Sequence, residues 1–208
     1  MLKRPAVKPF TPDIKVISAG TTLYKGISSN NRTYVTPVFF SQIKRHAEEY
    51  AKARLGQYVT TRNLKLLNLT PKTVRYLLST NSFSQLNKDR IQFMTGVGLP
   101  SVNAQMKLVN KLTDDPGHRA HIRAIMTKNL QEHQGSLASP AGRKSFMNID
   151  LSSYQSICRY CLANGYDGAY SDEQRSIFHP LFGSELVLCN PRAALKNINF
   201  KLNNATVH

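Results

Sequence analysis

Short apolar runs separated by polar turns open the globular part of this chain. Residues 21–24 predict a strand that ends at Gly26, and a second extended stretch covers residues 34–40. Residues 58–61 and 64–69 form two further runs of the same kind. Runs of about four to eight residues, bounded by polar or glycine-containing turns, indicate strands.

Two helices are predicted between and after these strands. Residues 42–55 repeat apolar side chains every three or four positions, with Ser41 as the cap and Gly56 as the stop. Thr70-Pro71 combines a capping hydroxyl with a proline in the first turn, so residues 72–79 are expected to form a short helix.

The second half of the chain is predicted to be mainly helical. Residues 84–134 have a polar, mostly helical pattern. Asp150 is positioned to cap a helix over residues 151–163, which Asn164-Gly165 would end. An apolar strand over residues 185–189 follows after a loop. This set of elements is typical of the α+β class.

One domain with a basic arm is the simplest division of the chain. Prolines interleaved with lysine and arginine disfavour a helix over residues 1–20, which are interpreted as an extended arm. Residues 21–195 are assigned to one domain, with the helical segment of about 84–135 as an insertion. Residues 196–208 are assigned to a tail.

The charge is strongly positive and unevenly distributed. The chain of 208 residues contains 28 Lys and Arg against 12 Asp and Glu, a net charge of +16. The whole excess lies in residues 1–149, while residues 150–208 hold equal numbers of basic and acidic side chains. Such a field attracts polyanions, so nucleic acid or an acidic protein is the expected partner of residues 1–149. A merely solvated basic surface is the alternative.

The sequence also predicts the compartment. No apolar stretch approaches the roughly 20 residues that a membrane crossing needs, so no transmembrane segment is expected. The basic residues 1–5 are not followed by the apolar segment of a secretion signal. Cys158, Cys161 and Cys189 cannot all pair, and their spacing does not indicate a disulfide framework. An intracellular protein of the cytoplasm or nucleus is therefore expected.

Two patterns raise the question of a metal site. Cys158 and Cys161 form a CxxC, which occurs in metal and redox sites but also places two thiols on adjacent turns of one helix. His118 and His121 would share a helix face without an acidic or thiol companion at ligand spacing. No metal site is predicted.

Several short fragments stand out by their order along the chain. They are Leu23-Tyr24-Lys25-Gly26, Phe39-Phe40-Ser41 followed by Ala47-Glu48-Glu49-Tyr50-Ala51, Asn164-Gly165-Tyr166-Asp167-Gly168, and Glu185-Leu186-Val187-Leu188-Cys189-Asn190-Pro191. In this order and spacing they resemble parts of ADP-ribosyltransferase-like domains, including divergent members encoded by large DNA viruses. The resemblance covers roughly half of residues 21–195 and implies a split β-sheet core with flanking helices and a helical middle insertion.

The resemblance implies chemical roles for three of these positions. Members of the family break the bond between nicotinamide and ribose in NAD and transfer ADP-ribose, so NAD is the implied cofactor. Positive charge builds on the ribose as that bond breaks, and Glu185 is the implied catalytic carboxylate that stabilises it. Gly26 would let the backbone hydrogen-bond the nicotinamide amide. Lys25 would hold phosphate or ribose oxygens of NAD.

The remaining implied cofactor-binding residues lie in the second fragment. Ser41 would steady Glu185, and Phe40 or Tyr50 would stack on the nicotinamide ring. Each position also has a simpler interpretation. Ser41 is an adequate helix cap, both aromatic residues suit a core, and Glu185 could be a carboxylate at a surface edge.

Two positions depart from the family pattern. Arginine-modifying members carry a second glutamate two positions before the catalytic one, where this chain has Gly183, so arginine is a less favoured acceptor. Lys25 replaces the usual arginine or histidine with a flexible point charge, which would weaken NAD binding.

The sequence therefore does not decide whether the protein is an enzyme. One function is a mono-ADP-ribosyltransferase that moves ADP-ribose from NAD to a protein or nucleic acid. The alternative is a non-catalytic, basic structural or nucleic-acid-binding component of a virion or nucleoprotein that retains the fold. A plain helical adaptor with an accidental resemblance is a third interpretation.

Overall fold

A computed structural model gives the fold. It describes residues 10–29, 33–48, 50–95, 97–99, 102–112, 115–131, 153–172 and 184–203. Within these ranges the strands are β1 (Ile14–Ile17), β2 (Thr22–Ile27), β3 (Thr33–Val35), β4 (Val38–Phe40), β5 (Arg54–Val59), β6 (Leu64–Asn68), β7 (Gly168–Asp172), β8 (Ser184–Leu188) and β9 (Lys201–Asn203). The helices are α1 (Lys44–Glu48), α2 (Pro71–Ser79), α3 (Gln85–Thr95), α4 (Val102–Leu112), α5 (Pro116–Gln131), α6 (153–163) and α7 (Pro191–Ala194). The predicted α+β class is confirmed.

A five-stranded sheet in the order β1-β6-β7-β8-β4 forms the centre of the structure. β6 and β7 run parallel, and the other neighbours are antiparallel. β2 and β5 form a separate antiparallel pair, which meets the end of β4 through an isolated bridge between Tyr24 and Ser41. β3 and β9 pair in parallel. The five-stranded sheet and the β2–β5 pair are therefore joined along one edge.

Apolar side chains pack on both faces of the five-stranded sheet. On one face, termed the aromatic face, Phe40, Leu66 and Leu186 pack with Leu23 and Tyr58 of the β2–β5 pair. On the other, termed the helical face, the sheet packs against α2, α3 and α6; this cluster includes Leu67, Ala169, Val187, Val74, Leu77, Ile91 and Ile157. Because side chains alternate along a strand, β4, β6, β7 and β8 contribute to both clusters, whereas β1 contributes Ile17 to the aromatic face alone.

Two helix boundaries follow the residues predicted to form them. The Thr70 hydroxyl accepts a hydrogen bond from the Thr73 backbone N–H at 3.3 Å, and a proline fills the first turn of α2. At the end of α6, Gly165 has φ +76°, and the Tyr166 N–H donates to the Cys161 carbonyl at 2.8 Å. A left-handed glycine closes a helix in this way without a steric penalty. Both boundaries are confirmed.

The helical middle is confirmed wherever the structure describes it. α3, α4 and α5 pack on one another in sequence order, and α3 also contacts α2. Their interior contains Phe93, Val109, Leu112 and Ile122, all nearly inaccessible to solvent. None of the helices in the described ranges is long and apolar enough to cross a membrane.

The predicted helix over residues 42–55 is wrong. Of the described residues in this span, only Lys44–Glu48 are helical, and β5 begins at Arg54. Gly56, expected to stop the helix, lies inside β5, where a side chain would collide with the Tyr58 ring. Pairing with β2 overrides the helical periodicity because it satisfies the backbone hydrogen bonds of both strands.

The folded part extends beyond both ends of the domain assigned from the sequence. β1 lies within the segment interpreted as a basic arm, and it pairs with β6. β9 and Phe200 lie in the segment interpreted as a tail. Phe200 is buried and contacts the rings of Tyr34 and Phe40. Ile14–Ile17 and Lys201–Asn203 therefore belong to the fold.

A disulfide joins Cys158 of α6 to Cys189, directly after β8, with the Cα atoms 5.4 Å apart. The expectation that the spacing indicates no disulfide is wrong for this pair. Packing of α6 on the helical face brings the two side chains together, and linear spacing does not reveal that contact. Cys161 is buried as a free thiol. Burial raises the pKa of the Cys161 thiol to about 12, which keeps it protonated.

Breaking this disulfide should destabilise the fold. Cross-linking residues 31 positions apart is expected to contribute about 2–4 kcal/mol, mainly by restricting the unfolded chain. Reduction with a dithiol, or Cys189→Ser, should lower the free energy of unfolding in urea by that amount. Cys161→Ser is the control and should retain the response to reductant. Alkylation of three thiols in the native, unreduced protein would contradict the pairing.

Candidate functional site

Strand pairing brings Ser41 beside Glu185. Phe40 of β4 lies opposite Leu186 of β8 in an antiparallel ladder. That pair is the last of the ladder; Ser41 directly follows Phe40 and Glu185 directly precedes Leu186, so the antiparallel register, continued by one residue, sets Ser41 opposite Glu185. The Cβ atoms of directly opposed residues in such a ladder are about 4.5–5.5 Å apart. Two predicted site residues that are distant in sequence are therefore adjacent in the fold.

Tyr24 and Ser171 extend this pair into a row. The Tyr24 N–H donates to the Ser41 carbonyl at 2.8 Å, and the Ser41 N–H donates to the Tyr24 carbonyl at 2.9 Å. On the other side of Glu185, β7 places Ser171 directly opposite the carboxylate residue. Tyr24, Ser41, Glu185 and Ser171 are together named the polar row. The row crosses β2, β4, β8 and β7.

The polar row points away from the aromatic face. Leu23, Phe40 and Leu186 each directly neighbour one member of the row in sequence, and all three belong to the aromatic face. Because successive side chains alternate, those three members of the row point the opposite way. Ser41 is 7% exposed, while Glu185 is half-buried. The carboxylate therefore lies between bulk solvent and the interior.

The Ser41 hydroxyl closes the turn between β4 and α1. Its oxygen accepts a hydrogen bond from the Ile43 backbone N–H at 3.0 Å. Ser41 thus acts as a local cap, although the helix that follows is short. Because this bond uses the oxygen as an acceptor, the O–H is chemically able to donate to a carboxylate such as that of Glu185.

Gly26 is the point where the segment carrying Tyr50 passes over β2. A Cβ atom on Gly26 would collide with the Ala47 carbonyl oxygen and would lie only 2.7 Å from the Ala51 nitrogen. Glycine is required for this close approach. Tyr50 is 45% exposed, so nearly half of its surface remains accessible beside Gly26. The structure therefore brings these two predicted residues together.

The backbone of Gly26 faces the same edge of β2 as that of Tyr24. Tyr24 directs both its N–H and its C=O toward Ser41. In a strand, backbone groups two residues apart point to the same edge, so those of Gly26 point toward β4, at the level of Phe39 in the antiparallel register. A backbone hydrogen bond to a bound amide would require this direction.

Lys25 and Phe40 lie on the aromatic face, away from the polar row. Lys25 is 7% exposed, and its Nζ lies 4.2 Å from the centre of the Tyr34 ring and 3.4 Å from the Phe39 carbonyl oxygen. The ring centres of Phe40 and Phe200 are 5.8 and 5.9 Å from Nζ. Ring faces and a carbonyl oxygen offset the cost of burying an ammonium group. These contacts favour a structural role for Lys25.

The aromatic face also holds a buried phenol. Burial raises the pKa of Tyr58 to about 12, although the Arg54 charge acts in the opposite direction. The phenol therefore stays protonated and donates to Asn199 Oδ1 at 2.7 Å. The Tyr58 ring is edge-on to Phe40 and Phe200, with centres 5.8 and 5.4 Å away. The rings surrounding Lys25 thus form a packed interior.

Tyr24 and Ser171 were not predicted from the sequence. A signal for Tyr24 was present, because alternation along residues 22–27 places Tyr24 and Gly26 on one side of the strand and Lys25 on the other. Ser171 offered no comparable signal, since its position depends on the pairing of β7 with β8.

The polar row offers carboxylate and hydroxyl chemistry. Glu185 can accept hydrogen bonds from ligand hydroxyls or stabilise a neighbouring positive charge. Among the described side chains, no group of three or more His, Cys, Asp and Glu residues is placed to hold a metal ion. The chemistry of the polar row therefore depends on the Glu185 carboxylate and the hydroxyl groups beside it.

No protein family, curated protein or solved structure matches this chain. The likeness to ADP-ribosyltransferase-like domains therefore rests on the sequence fragments and stays a hypothesis. The geometry of the polar row is independent of that hypothesis.

Adding a side chain at Gly26 should displace the segment that carries Tyr50. The new methyl group would overlap the backbone of Ala47, Tyr50 and Ala51, so Gly26→Ala is expected to cost about 1–3 kcal/mol in the free energy of unfolding. Gly117→Ala, near the start of α5, is the control and should be neutral or slightly stabilising. Urea unfolding measures both. Equal stability of Gly26→Ala and wild type would show that the segment does not pass there.

Replacing Lys25 tests its structural role. Lys25→Met keeps most of the packing volume and removes the charge, so its stability should stay within about 1 kcal/mol of wild type. Lys25→Ala should cost about 2 kcal/mol or more, because it leaves a cavity among the rings. Thermal unfolding measures both variants. If Lys25→Met lost as much stability as Lys25→Ala, the ammonium group itself, and not the packing of the side chain, would be essential.

Proposed function

We propose that this chain is an ADP-ribosyltransferase-like domain that uses Glu185 to transfer ADP-ribose from NAD to a protein or nucleic acid. The observation that supports this proposal is the meeting of β2, β4 and β8 at the bridge between Tyr24 and Ser41. Three of the sequence fragments that suggested the family contribute residues to this one place. A chance resemblance would not require them to converge.

The residues around the bridge suit the nicotinamide end of NAD. NAD supplies a bond between nicotinamide and ribose whose cleavage leaves positive charge on the ribose. A half-buried carboxylate at Glu185 stabilises such a charge more strongly than it would in bulk water. Ser41 holds the adjoining strand end and offers its hydroxyl to the carboxylate. In this proposal Ser41 is a positioning residue.

Gly26 and Tyr50 supply the other contacts of the proposed site. The Gly26 backbone points toward the edge of β4, beyond the isolated Tyr24–Ser41 bridge at the level of Phe39, and would bind the nicotinamide amide there. The Tyr50 backbone passes beside Gly26, and its 45% exposed side chain would stack on the nicotinamide. Lys25 and Phe40 have no direct contact with NAD in this proposal, because their side chains point into the aromatic face. They stabilise the strands that carry the site.

Removing the carboxylate tests the proposal directly. Glu185→Gln should lower NAD cleavage or ADP-ribose transfer by on the order of 10²-fold or more, because the amide is nearly isosteric but carries no charge. The measurement is release of nicotinamide from labelled NAD in the presence of candidate acceptors.

Glu48→Gln is the matched control for that experiment. Glu48 lies on α1 with a half-exposed side chain that pairs with Lys44 at 3.5 Å. The control variant should keep wild-type activity. Activity of Glu185→Gln equal to that of the control would remove Glu185 from the chemistry. Titration of NAD into each variant separates a loss of binding from a loss of the chemical step.

A non-catalytic, basic binding protein is the second candidate function. It is favoured by the burial of Lys25 among aromatic rings, where the cation is directed away from any ligand in the polar row. The net charge of +16 also fits a partner that is a polyanion. This candidate predicts no nicotinamide release by the wild type, and salt-dependent nucleic-acid binding that Glu185→Gln leaves unchanged.

A further inference from the structure

α4 and α5 form a helical hairpin on the side of the molecule that carries the inserted helices. Only three residues separate the two helices, and they pack directly on each other. Val109, Leu112 and Ile122 are buried in the hairpin and its neighbours. A connection this short makes adjacent helices antiparallel. The two helices therefore present a continuous surface to solvent.

Basic side chains are grouped on this surface. Lys107, Asn110 and Lys111 are exposed and share one side of α4, because they are three or four positions apart. The Arg123 guanidinium of α5 donates to Asn110 Oδ1 at 2.5 Å, which brings it to the same side. Arg119 precedes Arg123 by one turn of α5. These five residues are together named the basic helical face.

The helical hairpin carries more basic than acidic side chains. Residues 102–131 contain five basic side chains against two acidic ones. Asp115 Oδ1 accepts a hydrogen bond from the Gly117 N–H at 2.8 Å and caps the start of α5. Among the described side chains, no carboxylate forms an ion pair with Lys107 or Lys111. The exposed ammonium groups of Lys107 and Lys111 can therefore bind an external anion.

The composition of the hairpin distinguishes between polyanions. Peripheral membrane helices insert large apolar or aromatic side chains beside their basic residues. Among the side chains of α4 and α5 that the structure describes, none is a large apolar residue exposed to solvent. Residues 102–131 also contain no Phe, Tyr or Trp on which single-stranded bases could stack. Contacts to a phosphate backbone need neither feature.

We infer that the basic helical face binds the phosphate backbone of duplex nucleic acid without reading its sequence. Lys107, Lys111 and Arg123 supply the charges, and Asn110 holds the Arg123 guanidinium in place. No member of the polar row lies on α4 or α5, so this binding does not rest on the proposed transferase activity.

A salt titration tests this inference. A short fluorescent DNA duplex of arbitrary sequence is titrated with the full chain at several salt concentrations, and anisotropy gives the affinity. For each phosphate contact removed, the slope of log affinity against log salt should decrease by about 0.9. The variant carrying Lys107→Gln, Lys111→Gln and Arg123→Gln should therefore lose about 2.7 from that slope, and a second duplex of unrelated sequence should behave identically.

The variant carrying Lys52→Gln, Lys196→Gln and Lys201→Gln is the matched control. It removes the same charge from exposed positions elsewhere, and it should keep a slope near that of the wild type. Equal losses in the two triple variants would overturn the inference, because net charge alone would then explain binding. Tighter binding to phosphatidylserine vesicles than to the duplex, lost in the first variant only, would assign the face to a membrane instead. Urea unfolding confirms that both variants are folded.

Discussion

The two hydrogen bonds between Tyr24 and Ser41 are the link on which the candidate site depends. They join the β2–β5 pair to the five-stranded sheet at the end of β4. Each backbone bond contributes only about 0.5–1.5 kcal/mol on its own. Their importance is geometric, because they hold Gly26 on one side and Glu185 on the other at fixed strand spacings. Without them, the two sheets would be held mainly by non-directional apolar packing on the aromatic face.

Side chains along β2 point alternately to its two faces, so adjacent residues serve either core packing or the candidate site. Lys25 points into the aromatic face and packs among rings, whereas Tyr24 and Gly26 face the polar row and the Tyr50 segment. A shift of one residue in the register of β2 would reverse these directions and place the lysine in the polar row, beside Ser41. The register is maintained by Gly56, which lies opposite Lys25, and by Leu23 and Ile27, which are buried on the aromatic face.

Local signals in the sequence predicted much of the fold. The cap at Thr70, the glycine that ends α6 and the helical middle are encoded by residues close together in the chain. The helix over residues 42–55 failed because strand pairing between β2 and β5 outweighs a local periodicity. The bond between Cys158 and Cys189 was missed for the same reason, since it depends on how α6 packs against the sheet.

In the candidate site too, local fragments predicted some features, and strand pairing determined the others. Glu185, Ser41, Gly26 and Tyr50 were predicted from short fragments, and the strand order brings them into one region. Lys25 and Phe40 were predicted for that region as well, but the direction of their side chains follows from strand parity, which the fragments did not include. Ser171 required knowledge of the sheet order itself. The basic helical face lies apart from this region, so the chain carries two separate surfaces with different chemistry.

The adjacency of Ser41 and Glu185 is the central structural claim, and nuclear Overhauser effects between backbone protons test it most directly. In isotopically labelled protein, Ser41 should show cross-peaks to Tyr24 on one side and to Glu185 on the other, as expected for three neighbouring strands. Cross-peaks from Ser41 to Tyr24 without any to Glu185 would place the carboxylate outside the row and contradict the account.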